Sequence, residues 1–346
     1  MAALEPTADE RVRTALQRVQ QVRELLRAQG SGGVLLGTRH NIAWLTLGAQ
    51  LHILLATEAS VSGVLITPSE VVVLAPNNEA ARVADEELGG LPFEIVRLPW
   101  EDPAAMDREA RRRCPGTLVG DAHLETALLP IRSVLGSLEH ARLAWLGERA
   151  GHAMSSALAG MGGTSTEFAV GAAMEAQLGR DAIRVPVFLA AADERIPAYR
   201  HPLPTLHPIR QRLMLIVVAE RWGLNVAGTS FCELVPPDAE VQRRMEQSAA
   251  VLRAMEHASC PGATLGDVFA VAQRAYAEAG HPDEWRLHHQ GGSIGYRTRE
   301  VVATPGDPAP IVAGMALAWN PSITGAKAES TILLSPVDGT MTRVLG

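Results

Sequence analysis

The chain has 346 residues, of which 47% are hydrophobic and 20% are charged. This length exceeds one ordinary domain, and the apolar content is sufficient for two hydrophobic cores, so two domains are predicted. The formal charge of −7, with arginines scattered among Asp and Glu, excludes a broad basic surface. The composition therefore argues against nucleic acid as a partner.

The cysteines and the apolar runs indicate the cellular compartment. Cys114, Cys232 and Cys260 are far apart and form no C-x-x-C pair, which argues against a disulfide framework and favours a reducing compartment. The amino-terminal segment is charged and lacks an apolar core of signal-peptide length, and no later run approaches the roughly 20 apolar residues of a membrane span. We therefore predict a cytoplasmic protein without a membrane partner.

The first half of the chain alternates helical and strand patterns. Apolar residues from Val12 to Leu26 recur at helical spacing and stop before Gly30, which predicts an opening helix. Short runs rich in β-branched residues predict strands at 33–36, 61–67, 71–74, 93–98 and 118–121. This alternation is typical of an α/β domain, which we assign to residues 1–145.

The second half, residues 146–346, begins with an Ala-rich helical stretch. Thr164, three residues before Glu167, and Thr264, three residues before Asp267, predict capping boxes at the start of two further helices. Strand-like runs on both sides of Gly223 predict a hairpin within residues 212–234. Strands are also predicted at 315–319 and 330–334, so this half is expected to be an α+β domain.

Common catalytic motifs are missing from the sequence. Gly291, Ser293 and Gly295 spell the G-x-S-x-G of a nucleophile elbow, but that motif requires a later triad histidine and no histidine follows His289. The chain also contains no H-E-x-x-H, no phosphate-binding loop and no G-x-G-x-x-G after a strand. Zincin, nucleotide and dinucleotide chemistry are therefore not indicated.

Three segments of the second half carry a resemblance to a known family: Arg200-His201-Pro202-Leu203-Pro204-Thr205, then His288 to Gly295, then Gly314 through Asn320 to Glu329. In order and spacing they resemble the signature segments of the pita-bread family of prolidases, Xaa-Pro aminopeptidases, methionine aminopeptidases and creatinase. Residues 34–46 resemble that family's amino-terminal domain. The resemblance implies a creatinase-type α/β domain followed by a pita-bread domain with helices on a curved antiparallel sheet, and it implies a homodimer.

The resemblance also implies where metal ligands would stand. The peptidases of the family hold two divalent metals with two aspartates, a histidine and two glutamates. Carried over by spacing, these positions fall on Ile216, Ala227, Gly292, Asn320 and Glu329. A pair of hard dications needs several anionic oxygens, and Glu329 alone cannot supply them. We therefore predict a divergent member that has lost most metal ligands and needs no metal or other cofactor.

Other positions of the family site remain polar. We predict His201, Glu329 and Arg299 as catalytic residues, with His201 as general acid and base, Glu329 orienting it or binding a cationic nitrogen, and Arg299 holding an anionic group. His288, Glu300 and Asn320 are predicted to bind substrate. Such a site suits a small amino-acid-derived amide, amidine or dipeptide.

Three functions stay open on the sequence alone. The first is a metal-independent hydrolase of a C–N bond, resembling creatinase in its use of His201. The second is a catalytically inactive homologue that binds a small ligand or a partner protein. The third is a proline-directed metallopeptidase with non-standard ligands.

Overall fold

The computed structural model describes residues 4–162 and 164–346; Met1–Ala3, part of the amino-terminal segment considered above, and Gly163 lie outside it. The chain divides into two compact units, Met1–Arg132 and Ser133–Gly346. The domain boundary predicted near residue 145 lies inside a helix of the second unit. In the described part of the chain, no helix combines the length and apolar character needed to cross a membrane.

The first unit is a mixed sheet with helices. Strand order is β4-β3-β2-β1-β5, with β1–β2 and β2–β3 antiparallel and the outer pairs β3–β4 and β1–β5 parallel. All five predicted strands are found, so the α/β assignment is confirmed. The elements are α1 (Ala8–Ala28), β1 (Gly33–Thr38), α2 (Arg39–Thr46), β2 (Ala59–Ile66), β3 (Val71–Pro76), α3 (Ala80–Arg82) running into a π-helical turn (Val83–Glu87), β4 (Glu94–Leu98), α4 (Ala105–Arg113), β5 (Leu118–Gly120) and α5 (Asp121–Arg132).

A cluster of polar side chains is buried in the first unit. The Asp121 carboxylate accepts hydrogen bonds from the Gly37 backbone N–H and from the Asn41 amide, both at 2.7 Å. Arg132, which is fully buried, donates to Asn41 Oδ1 and to Glu125, both at 2.6 Å. This network joins α2, β1 and α5: Arg132 is paired with Glu125, and Asp121 is held by hydrogen bonds from neutral donors.

The second unit contains three antiparallel sheets, four longer helices and one short helix in its described part. Its elements are α6 (Ser137–Ala159), α7 (Glu167–Arg180), β6 (Arg184–Ala192), α8 (Arg195–Ala198), β7 (Arg212–Arg221), β8 (Leu224–Glu233), α9 (Ala239–Ala258), α10 (Leu265–Glu278), a 3-10 turn (Glu284–Leu287), β9 (Gly291–Ile294), β10 (Val301–Val302), β11 (Ala316–Trp319), β12 (Ser322–Ile323), β13 (Ala326–Lys327), β14 (Ser330–Leu334) and β15 (Met341–Leu345).

Two sheets position the residues of interest. One has the order β6-β7-β8 and contains the predicted hairpin, whose turn places Trp222 and Gly223 at positive φ. The other has the order β10-β9-β11-β14-β15. Helices α9 and α10 pack on the second sheet through a core that includes Met255, Phe269 and Trp319. The expected arrangement of helices on antiparallel sheet is confirmed.

One predicted helix start is wrong. The amino-terminal cap of α7 is Thr166, whose side chain accepts from the Ala169 N–H, and it is not Thr164. Glu167 is fully buried, and its carboxylate accepts from the backbone N–H groups of Ala192 and Thr205, both at 2.7 Å. These tertiary hydrogen bonds replace the local capping box, which requires the glutamate to turn back on its own helix.

Candidate active site

The β7–β8 hairpin presents an apolar face at the positions that the resemblance assigns to the family aspartates. Ile216 pairs with Thr229 and Val218 pairs with Ala227 across the two strands. Because side chains alternate along a strand, these four residues lie on one face of the hairpin. The face therefore offers two branched aliphatic groups, a methyl group and one hydroxyl, with no carboxylate.

The next two family ligand positions are also unable to supply an anionic ligand. Gly292 has φ +153°, and a Cβ added there would lie 2.0 Å from the Val301 carbonyl oxygen, so the backbone leaves no room for a side chain. Asn320, which follows β11, is 2% exposed, and its backbone N–H donates to the Gln290 carbonyl at 3.1 Å. Within the described residues its side-chain Oδ1 has no hydrogen-bond partner.

Glu329 is the one carboxylate at these positions, and it is already bound by other groups. Its Oε2 accepts from the Thr229 hydroxyl at 2.6 Å and lies 3.0 Å from Lys327 Nζ, while its Oε1 accepts from Arg299 Nη2 at 3.2 Å. The side chains of Lys327 and Glu329 are only 5% and 2% exposed. Two cations thus share a single buried carboxylate, so the cluster carries a surplus positive charge.

Burial and neighbouring charge shift the pKa values of these three groups in opposite directions. Burial raises the pKa of Glu329, but the charges of Lys327 and Arg299 outweigh it and hold that pKa below its usual value. Burial lowers the pKa of Lys327 and of Arg299, although Glu329 opposes the effect in both. The carboxylate is therefore ionised at neutral pH, and the two cations lose hydration that an anionic ligand would replace.

Lys327 was missed by sequence reasoning, although a signal was available. It is the only lysine among the 31 basic residues of the chain, all others being arginine. A chain that uses arginine everywhere else retains its one ammonium group in a buried position next to Glu329. An ammonium is a compact point charge, whereas a guanidinium is a broad planar fork, so the two are not equivalent in a confined space.

Three histidines lie together beside this cluster. His288 Nε2 lies 3.0 Å from His201 Nε2, and the ring centroids of His288 and His289 are 4.5 Å apart. Burial, helped by nearby positive charge, lowers the pKa of His201, lowers that of His288 to about 2 and lowers that of His289 to about 4. All three imidazoles are therefore neutral at pH 7.

Because His289 is neutral, its hydrogen bonding determines which ring nitrogen carries the proton. Its Nδ1 accepts a hydrogen bond from the Gly291 backbone N–H at 3.3 Å, so the ring proton resides on Nε2. Within the described residues, His288 Nδ1 is buried without a partner. His289 is thus a hydrogen-bond donor toward any group that contacts its Nε2.

These groups surround a cavity of about 310 Å³. Of the predicted site residues it brings together His201, Arg299, Asn320 and Glu329. His288 and Glu300 are outside the lining: His288 contacts His201, and Glu300 Oε1 accepts from the Arg297 N–H at 3.2 Å. The lining residues are Val187, Leu189, His201, Ile216, Val218, His289, Thr298, Arg299, Asn320, Lys327 and Glu329.

The donor set does not fit the pair of divalent metals that the resemblance implies. Among the described residues, Glu329 is the only carboxylate that lines the cavity, and Lys327 and Arg299 already occupy its oxygens. The ring nitrogens of His201, His288 and His289 lie within 4.8 Å of one another and are the alternative ligand group. However, the His289 Nδ1 lone pair is used by Gly291, and the two nearby cations repel an added dication.

Comparisons with known proteins place the chain in a family. The sequence model of metallopeptidase family M24 matches residues 144–336, more than half of the chain. Among curated proteins, a sequence search finds no match.

Solved structures with a similar fold match nearly the whole length of the chain. A prolidase from Pyrococcus horikoshii OT3 is 17% identical with a TM-score of 0.79, covering 95% of this chain and 98% of its own. The dipeptidase PepE from Mycobacterium ulcerans is 16% identical with a TM-score of 0.76, covering 97% and 96%. The amino-terminal domain of the FACT complex subunit SPT16 from chickpea is 12% identical with a TM-score of 0.72, covering 96% of each chain. The chain has the pita-bread fold and belongs to metallopeptidase family M24.

Proposed function

We propose that this M24 protein is a metal-independent hydrolase of a C–N bond in a small amino-acid-derived substrate. The observation that carries the proposal is the buried cluster in which Lys327 and Arg299 neutralise Glu329, the one remaining carboxylate of the family ligand positions. In this site, positive charge comes from two side chains, Lys327 and Arg299, in place of bound metal ions. Such fixed positive groups hold the anionic group of a substrate through charge-assisted hydrogen bonds.

His201 is the general base and acid of this proposal. Its imidazole lines the cavity, and its lowered pKa keeps it neutral and able to accept a proton at pH 7. When His201 Nε2 donates to His288 Nε2, the His201 lone pair resides on Nδ1. That lone pair takes a proton from the water that attacks the carbonyl carbon, and the proton is then passed to the departing nitrogen as the C–N bond breaks.

The orienting partner of His201 in this scheme is His288. Glu329 was predicted for this role, but its carboxylate contacts Thr229, Lys327 and Arg299. Glu329 instead holds the two cations in place, and it acts on His201 only through its charge. Glu300 accepts a hydrogen bond from the Arg297 N–H and so supports the Gly295–Arg297 turn, which precedes Arg299.

A substrate screen tests the proposal. Small amides, amidines and dipeptides are offered to the purified protein with and without a chelator, and the screen is repeated on His201→Ala and on the control His152→Ala, an exposed histidine of α6. We expect chelator-resistant hydrolysis that His201→Ala abolishes and His152→Ala retains. Activity unchanged in His201→Ala would eliminate the mechanism.

Two other functions are outcomes of the same screen. Binding without turnover identifies an inactive homologue that uses the same cationic cavity. Activity that requires stoichiometric metal identifies a metallopeptidase with non-standard ligands, for which the three histidines are the candidates. The cytoplasmic location and the homodimer stay predictions, and size-exclusion chromatography with light scattering tests the homodimer.

A further inference from the structure

The charges that line the cavity define the class of substrate more narrowly than the proposed reaction, hydrolysis of a C–N bond, does. Lys327 and Arg299 are positive, the lining histidines His201 and His289 are neutral, and Glu329 is the only negative group among the described lining residues. Both oxygens of Glu329 are already engaged by Thr229, Lys327 and Arg299. A ligand ammonium or amidinium would therefore meet two like charges and no free carboxylate, which disfavours binding.

An anionic group, in contrast, meets hydrogen-bond donors. Lys327 has ammonium protons beyond the one directed to Glu329, and Arg299 Nε has no partner within the described residues. His289 carries its proton on Nε2. A carboxylate binds such a set of ammonium, guanidinium and imidazole donors through charge-assisted hydrogen bonds.

The opposite side of the cavity is apolar, and one polar atom remains unpaired. Val187 and Leu189 of β6 and Ile216 and Val218 of β7 line this side. Asn320 also lines the cavity, and its buried Oδ1 has no partner within the described residues. A buried acceptor of this kind requires a donor to offset the loss of its hydration, and a neutral amide N–H supplies one.

We propose that the cavity binds an N-acylated amino acid with an apolar side chain, its carboxylate on Lys327 and Arg299 and its amide N–H on Asn320. This inference rests on the proposed function and names its substrate class. The bond cleaved is the acyl C–N bond, and water adds to give a free carboxylic acid and a free amino acid. The free ammonium of the amino-acid product then faces Lys327 and Arg299, so the charges that retain the substrate repel the product.

A matched set of ligands tests the proposal. N-isobutyryl-L-leucine and L-alanyl-L-leucine have the same shape, because a methyl group of the first replaces the ammonium of the second. N-isobutyryl-L-leucinamide lacks the carboxylate of the first. We expect each of the two comparison ligands to bind at least about tenfold more weakly than N-isobutyryl-L-leucine, as measured by calorimetry with a chelator present.

The single lysine allows the contact to be observed directly. Protein labelled with ¹³C at lysine Cε gives one side-chain signal, from Lys327. We expect N-isobutyryl-L-leucine to shift this signal and the other two ligands to leave it unchanged at the same concentration. Lys327→Met should weaken binding of the acyl amino acid at least about tenfold, whereas Arg253→Met, an exposed control on α9, should not.

The outcomes separate this inference from the proposed function. The proposed substrate class is overturned if alanyl-leucine or the leucinamide binds as tightly as N-isobutyryl-L-leucine or more tightly. It is also overturned if the Lys327 signal does not shift. Both measurements use the wild-type protein, so they decide the question even if Lys327→Met does not fold. Selective binding without release of leucine supports the substrate class and overturns the hydrolase.

Discussion

Each unit of the chain contains buried charged groups, but the two clusters differ in how completely those groups are paired. In the first unit Arg132 bonds both Glu125 and Asn41, and Asn41 in turn donates to Asp121. Charges and hydrogen-bonding groups are matched inside the cluster. This is the arrangement expected of a network that fixes one packed structure.

In the second unit the pairing is incomplete. Lys327 and Arg299 share Glu329, and Arg299 Nε and Asn320 Oδ1 have no partner within the described residues. The cluster borders a cavity of about 310 Å³. Buried charge alone therefore does not distinguish a binding site from a structural network. Surplus charge and unpaired atoms beside a cavity do.

The largest expected effect concerns catalysis. His201→Ala should lower kcat/KM for the acyl amino acid by about 10²- to 10⁴-fold, because it removes the general base. Binding of N-isobutyryl-L-leucine, measured by calorimetry, should change by less than about threefold, since Lys327 and Arg299 remain. Loss of binding together with activity would instead make His201 a structural partner of His288.

The same substitution in the two clusters should affect stability differently. Arg132→Met should lower the free energy of unfolding by about 3 kcal/mol, because it leaves Glu125 and Asn41 without their buried partner. Lys327→Met should change it by less than about 1 kcal/mol, because Glu329 keeps Arg299 and Thr229 and a surplus buried charge is removed. Urea unfolding of both variants checks the pair, and equal losses would remove the contrast between the clusters.

Acid should destabilise the second unit through its histidines. The pKa of His288 is lowered to about 2, so below pH 6.5 the unfolded chain binds a proton that the folded protein rejects. Stability is fully present above pH 6.5 and decreases as the pH falls toward the folded pKa. His288 contributes about 2 kcal/mol of this loss between pH 6.5 and 5.

Urea midpoints at pH 7.5 and pH 5 measure this effect. The difference between the two midpoints should shrink in His288→Gln and persist in His152→Gln, the exposed control. An unchanged difference in His288→Gln would show that other groups cause the acid sensitivity.

The smallest expected effect is that of a chelator. Hydrolysis of the acyl amino acid should change by less than about twofold after metal removal, because no step of the proposed mechanism uses a metal. Elemental analysis of the purified protein accompanies the assay. Two tightly bound equivalents of manganese, cobalt or zinc would overturn the assignment of the Lys327–Glu329–Arg299 cluster as a metal-independent centre.

Local sequence patterns predicted most of the secondary structure. The β7–β8 hairpin and the Thr264–Asp267 capping box depend on neighbouring residues, and both are found. The capping box predicted at Thr164 is wrong because Glu167 accepts hydrogen bonds from Ala192 and Thr205. These partners are far away in the sequence, so no local pattern indicates them. Strand β6 was not predicted, since Pro186 and three consecutive alanines weaken its strand pattern.

The site was predictable only in part for a similar reason. His201, Arg299, Asn320 and Glu329 could be proposed because they occupy positions of a recognised motif, and all four line the cavity. Lys327 occupies no such position, and its importance follows from burial and from its distance to Glu329, which only a three-dimensional structure provides. Glu300 matched the motif but lies outside the lining.

The backbone at Gly292 limits which side chains this position can carry. A side chain there would collide with the Val301 carbonyl oxygen, so a histidine cannot be reintroduced by a codon change alone. The strand itself would have to move, and three other positions, Ile216, Ala227 and Asn320, would have to change with it. No single substitution therefore converts this pocket into a centre for a metal pair, because the side chains and the backbone would have to change together.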